Sequence, residues 1–292
     1  MSARLGLGTV QFGLDYGIPN RGGKVPTAAG SAILAEAPAC GVEVLDTAPL
    51  YGASEEVLGA NDLKPFRVVT KTPRFGGAEI GPEQANEVVR TFRQSLGRLR
   101  RPAVYGLIVH NAEDLLCQGG EHIMAAMKGL KREGLVSRIG CSVYDGKEID
   151  ALLGRYDLDL IQLPVNVLDQ RLVRGGQLKR LKDQGIEVHA RSVFLQGLLL
   201  MDPKSLPAWF DPIKPLLQRW RDAAKAQGFD PVRAALAFVR DLSGIDVVVV
   251  GVNDLGQFRH CAQDFARASS FDANGLACDD PRFVNPAMWK LQ

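Results

Sequence analysis

The sequence predicts an α/β protein, a (β/α)₈ barrel, on three observations. One unit recurs: an amphipathic helical stretch ends in glycine and a short apolar run follows at once. It is seen in "SAILAEAPACGVEVLD" at Gly41, "AAMKGLKREGLVSRIGCS" at Gly134 and "GGQLKRLKDQGIEVHARS" at Gly185. Glycine just past a helix end takes up the left-handed cap, and the β-rich run begins a strand. The apolar runs number about eight. Finally, no Pro/Gly/Ser-rich linker or break in composition divides the 292 residues. Strands alternating with helices over that length predict one closed barrel domain, residues 1–292, with a doubly wound open sheet as the alternative.

The runs are Leu5–Val10, Glu43–Asp46, Arg67–Lys71, Tyr105–His110, Ser137–Ser142, Asp159–Leu163, Glu187–Ser192 and Asp246–Val250. They are nearly continuous in apolar character, which suits strands covered on both faces. Helical periodicity lies between most of them. In Pro82–Leu99, for example, Val88, Val89, Phe92, Leu96 and Leu99 form one stripe. The tail 270–292 has little periodicity and is expected to drape over one end of the barrel.

Composition narrows the function classes. A formal charge of +2 gives no argument for nucleic acid or an acidic membrane surface, and "RLRRP" and "KRLKDQ" read as exposed helix ends. Cys40, Cys117, Cys141, Cys261 and Cys278 are odd in number and dispersed, which fits reduced thiols and neither a disulfide framework nor a zinc site. "MSARLGLGTVQFG" lacks the features of a signal peptide, and no stretch is apolar for long enough to span a bilayer. The expectation is a cytoplasmic protein.

The informative residues stand where the apolar runs stop. The second run ends in Asp46, the third in Lys71 and the fourth in His110, with Tyr51 in the loop after Asp46. Barrel active sites are built at the carboxyl ends of strands. Neighbouring parallel strands lie roughly 4.8 Å apart, so the three side chains can meet. An ammonium beside a phenol favours the phenolate, and a carboxylate beside the lysine keeps it charged and oriented. A histidine in the same pocket could hold a polar substrate oxygen. Such a cluster is a proton-donor site aimed at a carbonyl, or the reverse at an alcohol.

These segments resemble those of the aldo-keto reductases. "GVEVLDTAPLYGASEEVLG" looks like the family signature, "VVTK" and "GLIVH" like its lysine and histidine segments, and "SLGRLR" and "GLVSRIGCSVYD" follow in family order. The resemblance runs from "LGLGTVQFG" to "VVVVGVNDLGQF" and suggests a bacterial, short-loop member. It implies a (β/α)₈ oxidoreductase that uses NADPH, with NADH possible, and no metal. Tyr51 would be the general acid that protonates the carbonyl oxygen as hydride arrives from the nicotinamide. Lys71 would assist the phenol, Asp46 would pair with Lys71, and His110 would orient the carbonyl.

The resemblance carries cofactor positions less evenly. Ser142 and Gln162 match residues flanking the carboxamide, although Val143 replaces the usual asparagine. Ser192, Leu195 and Gly197 match the pyrophosphate stretch. Arg191 stands where many members have an aromatic on the nicotinamide, and a guanidinium can stack there too, favouring the neutral reduced ring. Gly251, Asn253 and Gln257 fall at adenosine-side positions. Gln257 replaces the arginine that often holds a 2′-phosphate, and Arg259 is close by.

The expected function is reduction of an aldose, small aldehyde or cyclic ketone. The alternatives are a nicotinamide-sensing regulatory protein with little turnover and a barrel lyase or epimerase using the Tyr–Lys pair. The small carbonyl substrate is the expected partner, without nucleic acid or membrane, in a monomer or homodimer. Short loops at 74–81 and 111–120 suggest an open pocket, with Phe12, Phe75 and Tyr144 as an apolar wall, Arg74 as an anion-binding group and Trp289 reaching in from the tail. Asp279–Asp280 and Asp157/Asp159 read as solvated surface, His189 as a barrel-wall residue, and His122, His189 and His260 show no metal spacing.

Overall fold

A computed structural model describes residues 3–76 and 79–291; Gly77 and Ala78 of the 74–81 loop lie outside the described residues. Eight parallel strands close in sequence order: β1 (Arg4–Gly8), β2 (Val42–Asp46), β3 (Arg67–Lys71), β4 (Val104–Val109), β5 (Val136–Ser142), β6 (Leu160–Pro164), β7 (Glu187–Arg191) and β8 (Val247–Gly251). β8 pairs with β1, placing Gly8 opposite Gly251, so the closed barrel holds and the open sheet falls.

Strand ends differ from the sequence expectation by one or two residues. Val10 belongs to a short helical turn, Val10–Gly13, and His110 and Ser192 each lie one residue past their strands. The recurring unit is present as read. Gly41, Gly134 and Gly185 have φ of 77°, 75° and 70°, the left-handed cap that a side chain would strain. The helix Pro82–Leu99 forms over its predicted span and buries Val88, Phe92 and Leu99. Burial of side chains of this size contributes about 1.5–3 kcal/mol each.

Two apolar layers result. The larger lies between strands and helices. The smaller fills the barrel and consists of Val44, Val69, Ile108, Leu160, Val247 and Val249. Side chains on a strand alternate between faces, so the residue two positions on from an interior one also points inward. Applied to the interior set, that step gives Asp46, Lys71, His110, Gln162 and Gly251, all at the carboxyl end.

The opposite end of the barrel is closed by charge. Glu187 meets Arg4 at 3.3 Å and His189 Nε2 at 3.1 Å, and accepts a hydrogen bond from the Tyr105 hydroxyl. His189 is fully buried as a wall residue. In the tail, Cys278 N–H donates to Leu168 O, and Trp289 packs edge-on against Phe210. All five cysteines are free, and among the described residues no helix is long and apolar enough to cross a membrane.

Burial would raise the Glu187 carboxyl, but hydrogen bonds from His189 and Tyr105 and the Arg4 charge outweigh it and hold it at about 2. A depressed folded value means that the unfolded chain binds the proton first as pH falls. Glu187 therefore contributes stability that is complete above its ordinary value of 4.5 and is lost as pH falls toward about 2. Glu187→Gln is expected to lower stability at neutral pH and to flatten its decline between those two values. Urea denaturation at a series of pH values measures both.

Candidate active site

Lys71 and Asp46 are brought together by register. Asp46 is opposite Val69 on β3, two residues before Lys71, so both side chains reach the interior at the carboxyl end. Lys71 Nζ lies 2.8 Å from each Asp46 oxygen and 2.8 Å from Thr47 O. The lysine is 2% exposed and the aspartate 6%. Burial opposes charge on Lys71, but the Asp46 carboxylate and the neighbouring Tyr51 outweigh it and hold the ammonium above its ordinary range. Gln162 Nε2 donates to Asp46 Oδ1 at 2.7 Å, which ties a predicted cofactor residue to the ion pair.

Tyr51 stands over this pair. Its ring centroid is 4.9 Å from Lys71 Nζ and 5.8 Å from the His110 ring, edge to face. A buried hydroxyl cluster fixes the loop that carries it. Ser54 Oγ lies 2.9 Å from Thr9 O and 3.1 Å from Thr47 Oγ1, while Thr9 Oγ1 donates to Asp46 O at 2.9 Å. Sequence reasoning missed Thr9, Thr47 and Ser54. The "DT" after the strand and the serine at the start of the Ser54–Gly59 helix were the available signals.

His110 is 6% exposed, and its Nδ1 is buried without a partner. Burial first, then the charges of Lys71, Arg74 and Arg191, lower its value from 6.5 to about 2. It is a neutral imidazole with one N–H to donate.

Asp46, Tyr51, Lys71 and His110 line one cavity of about 420 Å³ with Ser142, Gln162, Arg191, Ser192, Gly197, Gly251, Asn253 and Gln257. Leu195 does not. Its backbone is left-handed at φ 49° and its side chain is fully buried in the apolar layer, so at this position the chain offers the cavity only a turn. Ser192 and Gln196 are also left-handed, at φ 61° and 52°. Each such residue costs about 1–3 kcal/mol and is characteristic of a ligand clamp. The segment after β1 crosses to this turn: Ile18 N–H donates to Gln196 O at 3.0 Å, and a Cβ on Gly197 would meet Pro19 at 2.6 Å.

Arg191 differs from its expected posture. Its guanidinium lies 4.4 Å from the centroid of the Tyr144 ring and donates to Val143 O at 2.9 Å, so one face is already stacked. Gln11 and Tyr16, both absent from the sequence reading, also line the cavity. Gln11 Oε1 and Asn253 Oδ1 are buried there without partners. Together with His110 Nδ1, these orphaned atoms form a polar track from the Tyr51 pocket to the β8 loop. The chemistry of that track fits an elongated, hydrogen-bonding cofactor such as a nicotinamide dinucleotide.

Several other expectations fail. Trp289 donates to Phe283 O at 3.2 Å and packs on Phe210, away from the cavity, because the apolar layer captures its ring. Phe12 is buried in that layer and Phe75 packs against it, so of the three expected wall residues only Tyr144 faces the cavity. Asp279 and Asp280, by contrast, lie at the surface as read, paired with Arg174 and Arg282. Sequence spacing did not reveal the approach of Asp230, His260 and Asp264 to within 4.8 Å of one another. There, buried Asp264 has His260 at 2.9 Å and Arg267 at 3.1 Å as neighbours.

Comparison with known proteins gives this geometry a context. The pattern of the aldo/keto reductase family matches residues 4–273. Over 218 residues the chain is 29% identical to an NADH-specific methylglyoxal reductase of Escherichia coli K12, covering 68% of this chain and 65% of that protein. The match thus spans slightly less than two thirds of the relative's length. Among solved structures, an aldo-keto reductase from Bacillus halodurans in its holo form superposes with a TM-score of 0.72 at 20% identity, covering 93% of this chain and 89% of that one. A Pseudomonas aeruginosa protein provisionally classed as an aldo-keto reductase gives 0.68 at 23% identity, covering 91% and 90%. At these identities the two structures establish the shared barrel.

Breaking a buried ion pair by removing one partner costs about 3–5 kcal/mol, because a charge is left without compensation. Asp46→Asn is expected to destabilise the protein by that amount. The double variant Asp46→Asn/Lys71→Met is expected to recover most of the loss. Chemical denaturation of the three proteins measures both.

Proposed function

The chain belongs to the aldo/keto reductase family, and within it we propose that this oxidoreductase reduces the carbonyl of a small aldehyde or ketone to an alcohol, with Tyr51 as proton donor. The observation that carries the reading is the buried Asp46–Lys71 pair beneath the Tyr51 ring, with neutral His110 at its edge.

The roles follow from position and charge. Asp46 holds Lys71 charged where burial alone would disfavour an ammonium. Lys71 in turn stabilises the negative charge left on Tyr51 as its proton passes to the carbonyl oxygen. His110, uncharged, donates a hydrogen bond to that oxygen without competing as an acid. Thr9, Thr47 and Ser54 keep the Tyr51 loop in register with the ion pair. A reduced nicotinamide supplies hydride to the carbonyl carbon when bound. Ser142 and Gln162 would hold its carboxamide, the Ser192–Gly197 turn its pyrophosphate, and Gly251, Asn253 and Gln257 its adenosine end.

For the cofactor we infer NADH over the NADPH that the resemblance favours. The adenosine end of the cavity offers no free arginine among the described residues. Gln257 Oε1 accepts from Asn253 N–H at 3.0 Å, and Arg259 is bound by both oxygens of Glu36, at 2.8 and 2.5 Å. A 2′-phosphate would have to break that pair to gain a cation. The NADH specificity of the Escherichia coli relative supports the same choice.

An assay of NADH and NADPH oxidation with a panel of aldehydes and ketones tests the reading. NADH is expected to give the higher kcat/KM, and Tyr51→Phe to lower turnover by about 10²–10⁴-fold, the usual contribution of a general acid. Tight NADH binding without consumption, unaffected by Tyr51→Phe, would return the chain to a regulatory role.

With His110 held at about 2, the pH profile of kcat/KM is expected to show no ionisation near the ordinary imidazole value of 6.5. An acid limb centred there and removed by His110→Gln would contradict the neutral imidazole.

A further inference from the structure

From the charges at the mouth of the cavity, and resting on the carbonyl-reductase reading above, we propose that the substrate carries an oxyanion group, a carboxylate or a phosphate, remote from its carbonyl, and that Arg74 binds it. The charge inventory is unbalanced. The lysine and arginines lining the cavity are Lys71, Arg74 and Arg191, His260 on the β8 side is paired with Asp264 at 2.9 Å, and the one lining carboxylate among the described residues is Asp46. Asp46 is committed to Lys71 through both oxygens and to Gln162 as well. His110 adds no charge. Two arginines therefore face the cavity with no ion pair among the described residues.

The two are not equivalent. Arg191 is held by neutral partners, Ser142 Oγ at 3.3 Å and Val143 O at 2.9 Å, and is stacked on Tyr144. The carboxylate near it, Glu148, is occupied by Tyr144 N–H and does not line the cavity. Arg74 forms no ion pair or side-chain hydrogen bond among the described residues. Its backbone is nonetheless anchored. Asp114, in the short helical turn Glu113–Leu116 after β4, accepts from Phe75 N–H at 3.3 Å and Gly76 N–H at 3.1 Å. The buried carboxylate that could have neutralised Arg74 instead latches the residues that follow it, leaving the guanidinium free at the rim.

Position separates Arg74 from the cofactor. In a closed barrel of eight strands, β3 and β7 are diametrically opposed. Arg191 ends β7 and the Ser192–Gly197 turn follows it, whereas Arg74 comes three residues after Lys71 at the end of β3, on the side of the adjoining β4, which His110 follows. A cofactor pyrophosphate held by the β7 turn would lie across the mouth from Arg74. What Arg74 can reach is the far end of a substrate whose carbonyl is at Tyr51 and His110. A guanidinium pairs with a carboxylate or phosphate in a planar, two-point fashion that a neutral aldehyde cannot supply.

The test compares matched substrates with and without the anionic group: terephthalaldehydic acid against its methyl ester, and glyceraldehyde phosphate against glyceraldehyde. Wild type, Arg74→Gln and Arg74→Lys are assayed with NADH. In wild type the acid is expected to exceed the ester in kcat/KM on the order of tenfold or more, mainly through KM, as a charged hydrogen-bonded contact would give. The ratio should fall to near one in Arg74→Gln and be partly kept in Arg74→Lys. Preference confined to the phosphate pair identifies phosphate as the anion. Equal rates within both pairs in wild type, or a preference that survives Arg74→Gln, would overturn the proposal.

Calorimetric binding of hydroxymethylbenzoate and its methyl ester needs no turnover. If nothing is reduced yet the acid binds tighter through Arg74, the reductase reading fails and the anion site stands. If the esters are reduced and Tyr51→Phe abolishes it, but no charge preference appears, only the anion site fails.

Discussion

A strand sends alternate side chains to opposite faces, and the mouth of this barrel depends on that alternation. Val44, Val69, Ile108 and Leu160 fill the interior, and two residues on come Asp46, Lys71, His110 and Gln162. A shift of one residue in any strand would turn its polar side chain into the helix-facing layer and a hydrophobic one into the cavity. The apolar filling and the polar mouth are thus consequences of the same register. Packing the interior positions the chemistry above it.

Placing charge at the end of an apolar cylinder makes each polar group depend on its neighbours. Lys71 stays an ammonium because Asp46 is 2.8 Å away, and Asp46 is kept in place by Lys71 and Gln162 together. The same burial, acting on His110 beside three cations and no free carboxylate, drives the opposite outcome and leaves it neutral. Two groups that can each carry positive charge, one strand apart, thereby take different states. The difference suits one to support an anion and the other to donate a hydrogen bond.

The loops give the mouth two unlike walls. The left-handed turn after β7, braced by the Ile18–Gln196 hydrogen bond, forms one wall, and the Asp114 latch after β4 fixes the other behind Arg74. Strain is concentrated on the β7 side, where Ser192, Leu195 and Gln196 are all left-handed. A strained, bracketed turn suits a ligand of constant shape, and an anchored but open rim suits a variable one.

The sequence by itself determined the architecture and the identity of the catalytic candidates. Helix caps at Gly41, Gly134 and Gly185 and the stripe in Pro82–Leu99 are local signals, settled by backbone sterics and periodicity within a few residues. Asp46, Lys71 and His110 were legible because each ends an apolar run. Closure was legible only through the family resemblance and not from periodicity, since it depends on β8 meeting β1 across more than two hundred residues of chain. Gln11, Tyr16 and the Thr9–Thr47–Ser54 cluster were not legible, because they are ordinary residues until folding brings them together. Leu195, Phe12 and Trp289 looked like cavity residues by position, but the apolar layer, which favours burial of any large hydrophobe within reach, took all three. That Arg259 is paired with Glu36 while Arg74 has no ion pair among the described residues was likewise decided by tertiary contacts, because a charge's partner is set by distance in space and not by spacing along the chain.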